Sequence, residues 1–190
     1  MKKLFLGLVA SAFSLPAFAA LHAGSVAPAF KAKASLNGEA FDYSLETALA
    51  EGPVVVYFYP SAYTKGCNIQ AHEFAANMDA FNAAGATVIG VSLDSIERLN
   101  DFSADPDYCA GKLAVASDAD GSIARSYELQ VREGGPGMSD SRGVAIDHGF
   151  AERTTFIVTQ DGKIAETIGG VSPVENVQQS LQAVQKLHHK

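Results

Sequence analysis

The chain has 190 residues and a formal charge of −7, with 14 basic against 21 acidic side chains. No basic cluster is available to hold phosphates, which argues against nucleic acid and anionic lipid as partners. The length suits one domain with a real core, and only two cysteines, Cys67 and Cys109, are present.

Lys2 and Lys3 form a short positive start, residues 4–13 are apolar, and Ala17-Phe18-Ala19 follows Pro16. This is the pattern of a secretory signal, residues 1–19, cut after Ala19. The apolar run is short for a membrane anchor, and no later segment is apolar and long enough to span a bilayer. Residues 20–190 are thus expected to form a single domain, exported and periplasmic.

The elements then follow in order. Residues 30–42 alternate around Asn37-Gly38, a dipeptide suited to a tight hairpin turn. A short helix is expected over 44–50. Residues 53–59 are continuously apolar, β-branched and aromatic, which predicts a central strand buried on both faces and ended by Pro60. From Cys67 the spacing turns helical, with Cys67, Ala71, Phe74, Met78 and Phe81 on one face and Gly85 closing the helix. A second buried strand is expected over 87–92. A helix over 95–102 follows, with Asp94 and Glu97 spaced like a capping box. A short strand over 113–116 and a helical stretch over 122–129 come next. Asp118, Asp120 and Gly121 lack a full calcium-ligand series and read as a turn. Residues 132–150 contain Gly134-Gly135-Pro136-Gly137 and read as a long surface loop, of the kind that often covers a functional site. A hairpin over 154–168 turns at Asp161-Gly162, and Ser172-Pro173-Val174-Glu175 starts the last helix. This order predicts an α/β thioredoxin-like fold: a central mixed β-sheet flanked by helices, with an N-terminal β-hairpin.

On cysteine count alone, an exported chain with two cysteines is most simply read as carrying a structural disulfide. The surroundings of Cys67 argue for redox chemistry instead. With Thr64 as N-cap, Cys67 falls at the third helical position, where unpaired backbone N–H groups and the positive end of the helix favour a thiolate. The Thr64 hydroxyl, one turn earlier, is expected to reach the sulfur. Pro60 has no N–H and can wall the site from water. Arg153, which opens the strand over 154–158, is the best candidate for a supporting positive charge.

Pro60-x-x-x-Thr64-x-x-Cys67, the strand before it and Arg153-Thr154-Thr155-Phe156 resemble the active-site sequences of the peroxiredoxin family, most closely the bacterioferritin-comigratory or Q-type members. The resemblance spans most of the chain after residue 19. It implies that Cys67 attacks a peroxide oxygen and becomes a sulfenic acid, with Thr64 and Arg153 assisting and no metal or organic cofactor. It also implies a thioredoxin-like protein or small thiol as reductant, and a monomer or homodimer. Many such relatives carry a resolving cysteine five residues after the attacking one, where this chain has His72, and an acidic residue where it has Gln70. Cys109 lies just past the helix over 95–102, where some relatives place the resolving cysteine, so the resemblance implies a Cys67–Cys109 disulfide. Two alternatives stay open. One is a one-cysteine peroxidase with an external thiol, and the other a noncatalytic thioredoxin-fold binding module with a structural disulfide. His72 reads as a surface histidine.

Overall fold

The computed structural model describes residues 20–188. The expected export signal lies outside them. Strands β1 (Lys31–Leu36) and β2 (Glu39–Ser44) form the N-terminal hairpin. Its turn residues Asn37 and Gly38 have φ of 52° and 82°, the left-handed geometry that a two-residue turn requires and that Asn-Gly tolerates. Ser44 caps α1 (Leu45–Glu51) by accepting the Thr47 N–H.

The chain continues through β3 (Val54–Phe58), α2 (Lys65–Ala76), α3 (Met78–Ala83), β4 (Thr87–Ser92), α4 (Ile96–Ala104) and β5 (Ala114–Ser117). After α5 (Ser122–Ser126) come the short strands β6 (Val131–Arg132) and β7 (Phe150–Ala151), then β8 (Thr154–Val158), β9 (Ile164–Gly169) and α6 (Pro173–His188). Seven strands make one sheet in the order β2-β1-β5-β4-β3-β8-β9. Strands β3, β4 and β5 run parallel, and the other pairings are antiparallel. This is the expected mixed sheet, with β3 between β4 and β8.

All five residues of β3 are buried because helices cover both faces. Strand alternation divides its side chains. Val55, Tyr57 and Tyr59 enter one apolar cluster with α2, α3, α4 and α6. Val54, Val56 and Phe58 enter the other with α1, α5 and the N-terminal segment. Both cysteines belong to the first cluster. Gly90 of β4 makes room there, since a Cβ at that position would meet the Tyr57 hydroxyl oxygen at 2.6 Å.

Four local expectations need correction. The helix through Cys67 breaks at Asn77 instead of running on to Gly85. The Asn77 amide donates to the Glu73 carbonyl at 2.8 Å, and such local side-chain bonding competes with helix continuation. Ser95, not Asp94, caps α4, accepting the Arg98 N–H, while Asp94 is withdrawn into the interior. Helix α5 stops at Ser126, after which Glu128 takes a φ of 60°. The glycine-rich loop is more than a surface excursion. Its ends pair as β6 and β7, and the Asp140 carboxylate within it is buried. Asp118 and Asp120 form the expected turn, with the Asp118 carboxylate accepting the N–H groups of Ile123 and Ala124.

Candidate active site

Strand β3 carries the chain from the interior to Pro60, and residues 60–64 form a loop that hands it to α2. Thr64 is the N-cap, in extended geometry, and Cys67 occupies the third helical position as expected. The Gly66 and Cys67 N–H groups therefore have no acceptor within the helix and face the same end as the positive dipole. Cys67 is a free thiol, only 2% exposed.

Arg153, at the entrance of β8, reaches this sulfur, with its Nη2 at 3.3 Å from Cys67 Sγ. The other guanidinium nitrogen, Nη1, donates to the Gln70 side-chain carbonyl. Gln70 in turn donates to Asn176 Oδ1 at 2.9 Å, and Thr155 donates to the same oxygen at 2.7 Å. Asn176 closes the chain by donating to the Ile168 carbonyl. Gln70, Thr155 and Asn176 are all buried, so this relay across α2, β8 and α6 fixes the guanidinium without an acidic partner. The neutrality of Gln70 leaves the positive charge of Arg153 directed at sulfur. Gly66 permits the approach, since a Cβ there would lie 3.1 Å from Arg153 Nη2.

Thr64 departs from expectation in one respect. Its hydroxyl donates to the Ser61 carbonyl at 2.8 Å instead of to the sulfur. With its proton committed there, the oxygen keeps lone pairs for an incoming O–H. Pro60 is half-buried at the end of β3.

Cys109 follows α4 in a tight turn and is fully buried. Burial, and then the carboxylate of Asp105, push its thiol well above the ordinary range. No disulfide joins it to Cys67 in this structure. The two cysteine-bearing segments nevertheless meet. The Tyr63 and Tyr108 rings pack edge to face at 5.7 Å, and His72 Nδ1 lies 3.1 Å from the Asp107 carbonyl. His72 is exposed.

Sequence reasoning missed a buried polar cluster behind the 60–64 loop. The Asp94 carboxylate accepts the Ala62 N–H at 2.8 Å, the Ser61 and Ser92 hydroxyls at 2.9 and 2.7 Å, and Arg98 Nε at 2.8 Å. His148, from the long loop, also reaches Asp94 at 2.9 Å. Burial alone would raise the Asp94 carboxyl, but the His148 bond and the Ala62 and Ser92 donors hold it below the ordinary value. Asp94 lies in a Ser-x-Asp-Ser turn that also reads as a helix cap, which hides this role at the level of local pattern.

Comparison with known proteins places the chain in a family. The AhpC/TSA family profile matches residues 23–167. Peroxiredoxin Bcp of Escherichia coli K12 is 33% identical over 144 residues, covering 76% of this chain and 83% of that protein. A putative peroxiredoxin of Mycobacterium tuberculosis is 35% identical over 111 residues, 58% of this chain, and the match spans 64% of that relative's length. Among solved structures, Peroxiredoxin Q of Xanthomonas campestris has a TM-score of 0.65 at 27% identity, covering 83% of this chain and 91% of that one. Peroxidoxin BcpB of Mycobacterium tuberculosis has a TM-score of 0.72 at 24% identity, covering 88% and 98%, and shares the fold.

Proposed function

Because this chain belongs to the AhpC/TSA family of peroxiredoxins, we propose that it is a thiol peroxidase that reduces hydrogen peroxide and organic hydroperoxides at Cys67. The observation that carries the assignment of the residue is the 3.3 Å approach of Arg153 Nη2 to a sulfur in the first turn of α2. A guanidinium and a helix N-terminus converging on one sulfur favour the thiolate, which is the nucleophile.

The thiolate attacks one peroxide oxygen. An S–O bond forms as the O–O bond breaks, the other oxygen leaves as water or an alcohol after taking up a proton, and Cys67 becomes a sulfenic acid. Thr64 Oγ1 accepts the peroxide O–H. Arg153 and the backbone N–H groups of α2's first turn stabilise charge on the departing oxygen. Pro60 shields the thiolate from water.

Cys109 then resolves the sulfenic acid. Its sulfur attacks Cys67 Sγ, water leaves, and a disulfide forms that a thioredoxin-like protein or small thiol reduces. A disulfide needs Cα atoms within about 7 Å, and loosening of the first turn of α2 and of the Cys109 turn is the route by which the pair reaches it in this proposal. Their shared cluster on one face of the sheet supports this pairing. Export to the periplasm, directed by residues 1–19, is part of the same proposal.

The test is to add about one equivalent of hydrogen peroxide to the reduced protein and follow peroxide, thiols and disulfide by mass spectrometry. Rapid peroxide loss with a Cys67–Cys109 bond is the expected result. A sulfenic acid on Cys67 that persists until external thiol is added would make it a one-cysteine enzyme. Consumption no faster than by free cysteine would reduce the pair to a structural role.

A further inference from the structure

The long loop grips the loop that precedes Cys67. Ser141 donates to the Tyr63 carbonyl through both its N–H, at 2.9 Å, and its hydroxyl, at 2.7 Å. The Arg142 guanidinium carbon lies 3.2 Å from the centre of the Tyr63 ring. Buried Asp140 accepts Arg98 Nη2 at 2.8 Å, and that same nitrogen donates to the Ala62 carbonyl at 2.9 Å. Tyr63 itself holds a φ of 60°, which a bulky residue adopts only when its surroundings impose it. Residues 61–63 are thus shaped from two sides, by Asp94 beneath and by the long loop above.

His148 joins the two sides. Its Nε2 lies 2.9 Å from Asp94 Oδ1, and its Nδ1 lies 2.7 Å from the Gly149 carbonyl. A carboxylate and a carbonyl are both acceptors, so only a ring protonated on both nitrogens satisfies the pair. The Ser61 hydroxyl is 3.5 Å from Nε2 and already donates to Asp94. The charged groups facing the ring are Asp94, from the turn before α4, and Arg98, from α4. On its own segment the Phe150 ring lies 5.8 Å away. Burial would push the imidazole down. The bonds to Asp94 and Gly149, helped by the charge of Asp94 and opposed by Arg98, raise it above the ordinary histidine value.

We propose that His148 is a positioning residue for peroxide reduction: as an imidazolium it fixes Asp94, and through Asp94 the Ser61–Ala62–Tyr63 turn that presents Thr64 and Cys67 to the peroxide. Loss of its proton removes one of the two ring bonds and leaves two acceptor atoms facing each other. The turn then loosens and the attack slows. This inference rests on peroxide reduction at Cys67. It predicts a fall in the rate of the first turnover as pH rises through the titration of His148.

The test compares the wild type with His148→Gln, which keeps an N–H for Asp94 and does not titrate. First-turnover rates with hydrogen peroxide are measured from about pH 5 to pH 9, a range that spans histidine titration. Amide hydrogen exchange at residues 61–64 is followed over the same range, and the His148 ring is titrated by NMR. The expected result is a falling limb of about tenfold in the wild type, the scale of one charge-assisted hydrogen bond, that is missing from the variant. The midpoint of that limb should coincide with the His148 titration, and exchange at residues 61–64 should rise across it beyond the intrinsic pH trend. A wild-type to variant ratio that stays flat with pH overturns the proposal. So does a falling limb displaced from the His148 midpoint, a comparison that needs no folded variant. A protein that consumes no peroxide at any pH defeats the peroxidase reading instead, and exchange at residues 61–64 still reports whether His148 holds the turn.

Discussion

Cys67 and Cys109 lie in one apolar cluster on one face of the sheet, and both are shielded from water. Their electrostatic surroundings are opposite. Cys67 faces a guanidinium at 3.3 Å and the N-terminus of α2, whereas Cys109 faces burial and the carboxylate of Asp105. Burial alone therefore does not determine thiol chemistry. The first environment stabilises negative charge at sulfur and the second opposes it, which suits one thiol to attack first and the other to wait until its turn opens.

Removing one sulfur at a time tests the contrast most severely. Cys67→Ser should abolish peroxide consumption, while Cys109→Ser should keep the first turnover and lose the disulfide. Equal losses in both variants, measured by stopped flow, would erase the proposed division of labour.

Next in size is the charge at Cys67. Arg153→Met should slow the first turnover by about 10²–10³-fold, the scale found when one electrostatic stabiliser is removed from a reacting centre. Gln70→Glu should act in the same direction more weakly, because a new carboxylate on the guanidinium offsets its charge. Unchanged rates in both variants would detach Arg153 from the chemistry.

The cluster beneath both cysteines should be sensitive to volume. Gly90→Ala drives a methyl group into the Tyr57 ring and should destabilise the protein by about 1–3 kcal/mol, read as a lowered denaturation midpoint. An unchanged midpoint would mean that the aromatic packing is looser than the structure indicates.

Smaller effects are expected at Cys109. Its thiol stays protonated in the fold, while in the unfolded chain it titrates near about pH 8.5. Above that pH the unfolded state binds fewer protons than the folded one, so stability should fall as pH rises, by up to about 1.4 kcal/mol per unit. Cys109→Ser should remove this slope. Asp105→Asn should speed disulfide formation a few-fold, because the carboxylate is the second influence on the thiol after burial. A pH slope that persists without Cys109 would have to come from other groups.

Much of this was legible in the chain. Continuous apolar runs marked β3 and β4, Asn37-Gly38 marked the first turn, and Thr64 and Cys67 fell on one helical start because capping and periodicity are local rules. Arg153 could be nominated from its place before a strand. Its partners could not, because Gln70, Thr155 and Asn176 come from three elements brought together only by the packing of α2 and α6 on β8. Asp94 was misread for the opposite reason. A Ser-x-Asp-Ser turn offers a plausible local cap, and only the fold supplies the Ala62, Arg98 and His148 donors that draw the carboxylate inward.

The sequence by itself determined the main strands and helices of the sheet and its cover, the motif that places a cysteine at a helix start, and the membership in a family with thiol chemistry. These depend on neighbours a few residues away and on the period of the apolar pattern. Tertiary structure alone decided which groups face each sulfur, where the long loop docks, and that His148, 54 residues from Asp94, closes on the same carboxylate. Such contacts depend on directions and distances between separate elements, and packing fixes these where sequence spacing does not.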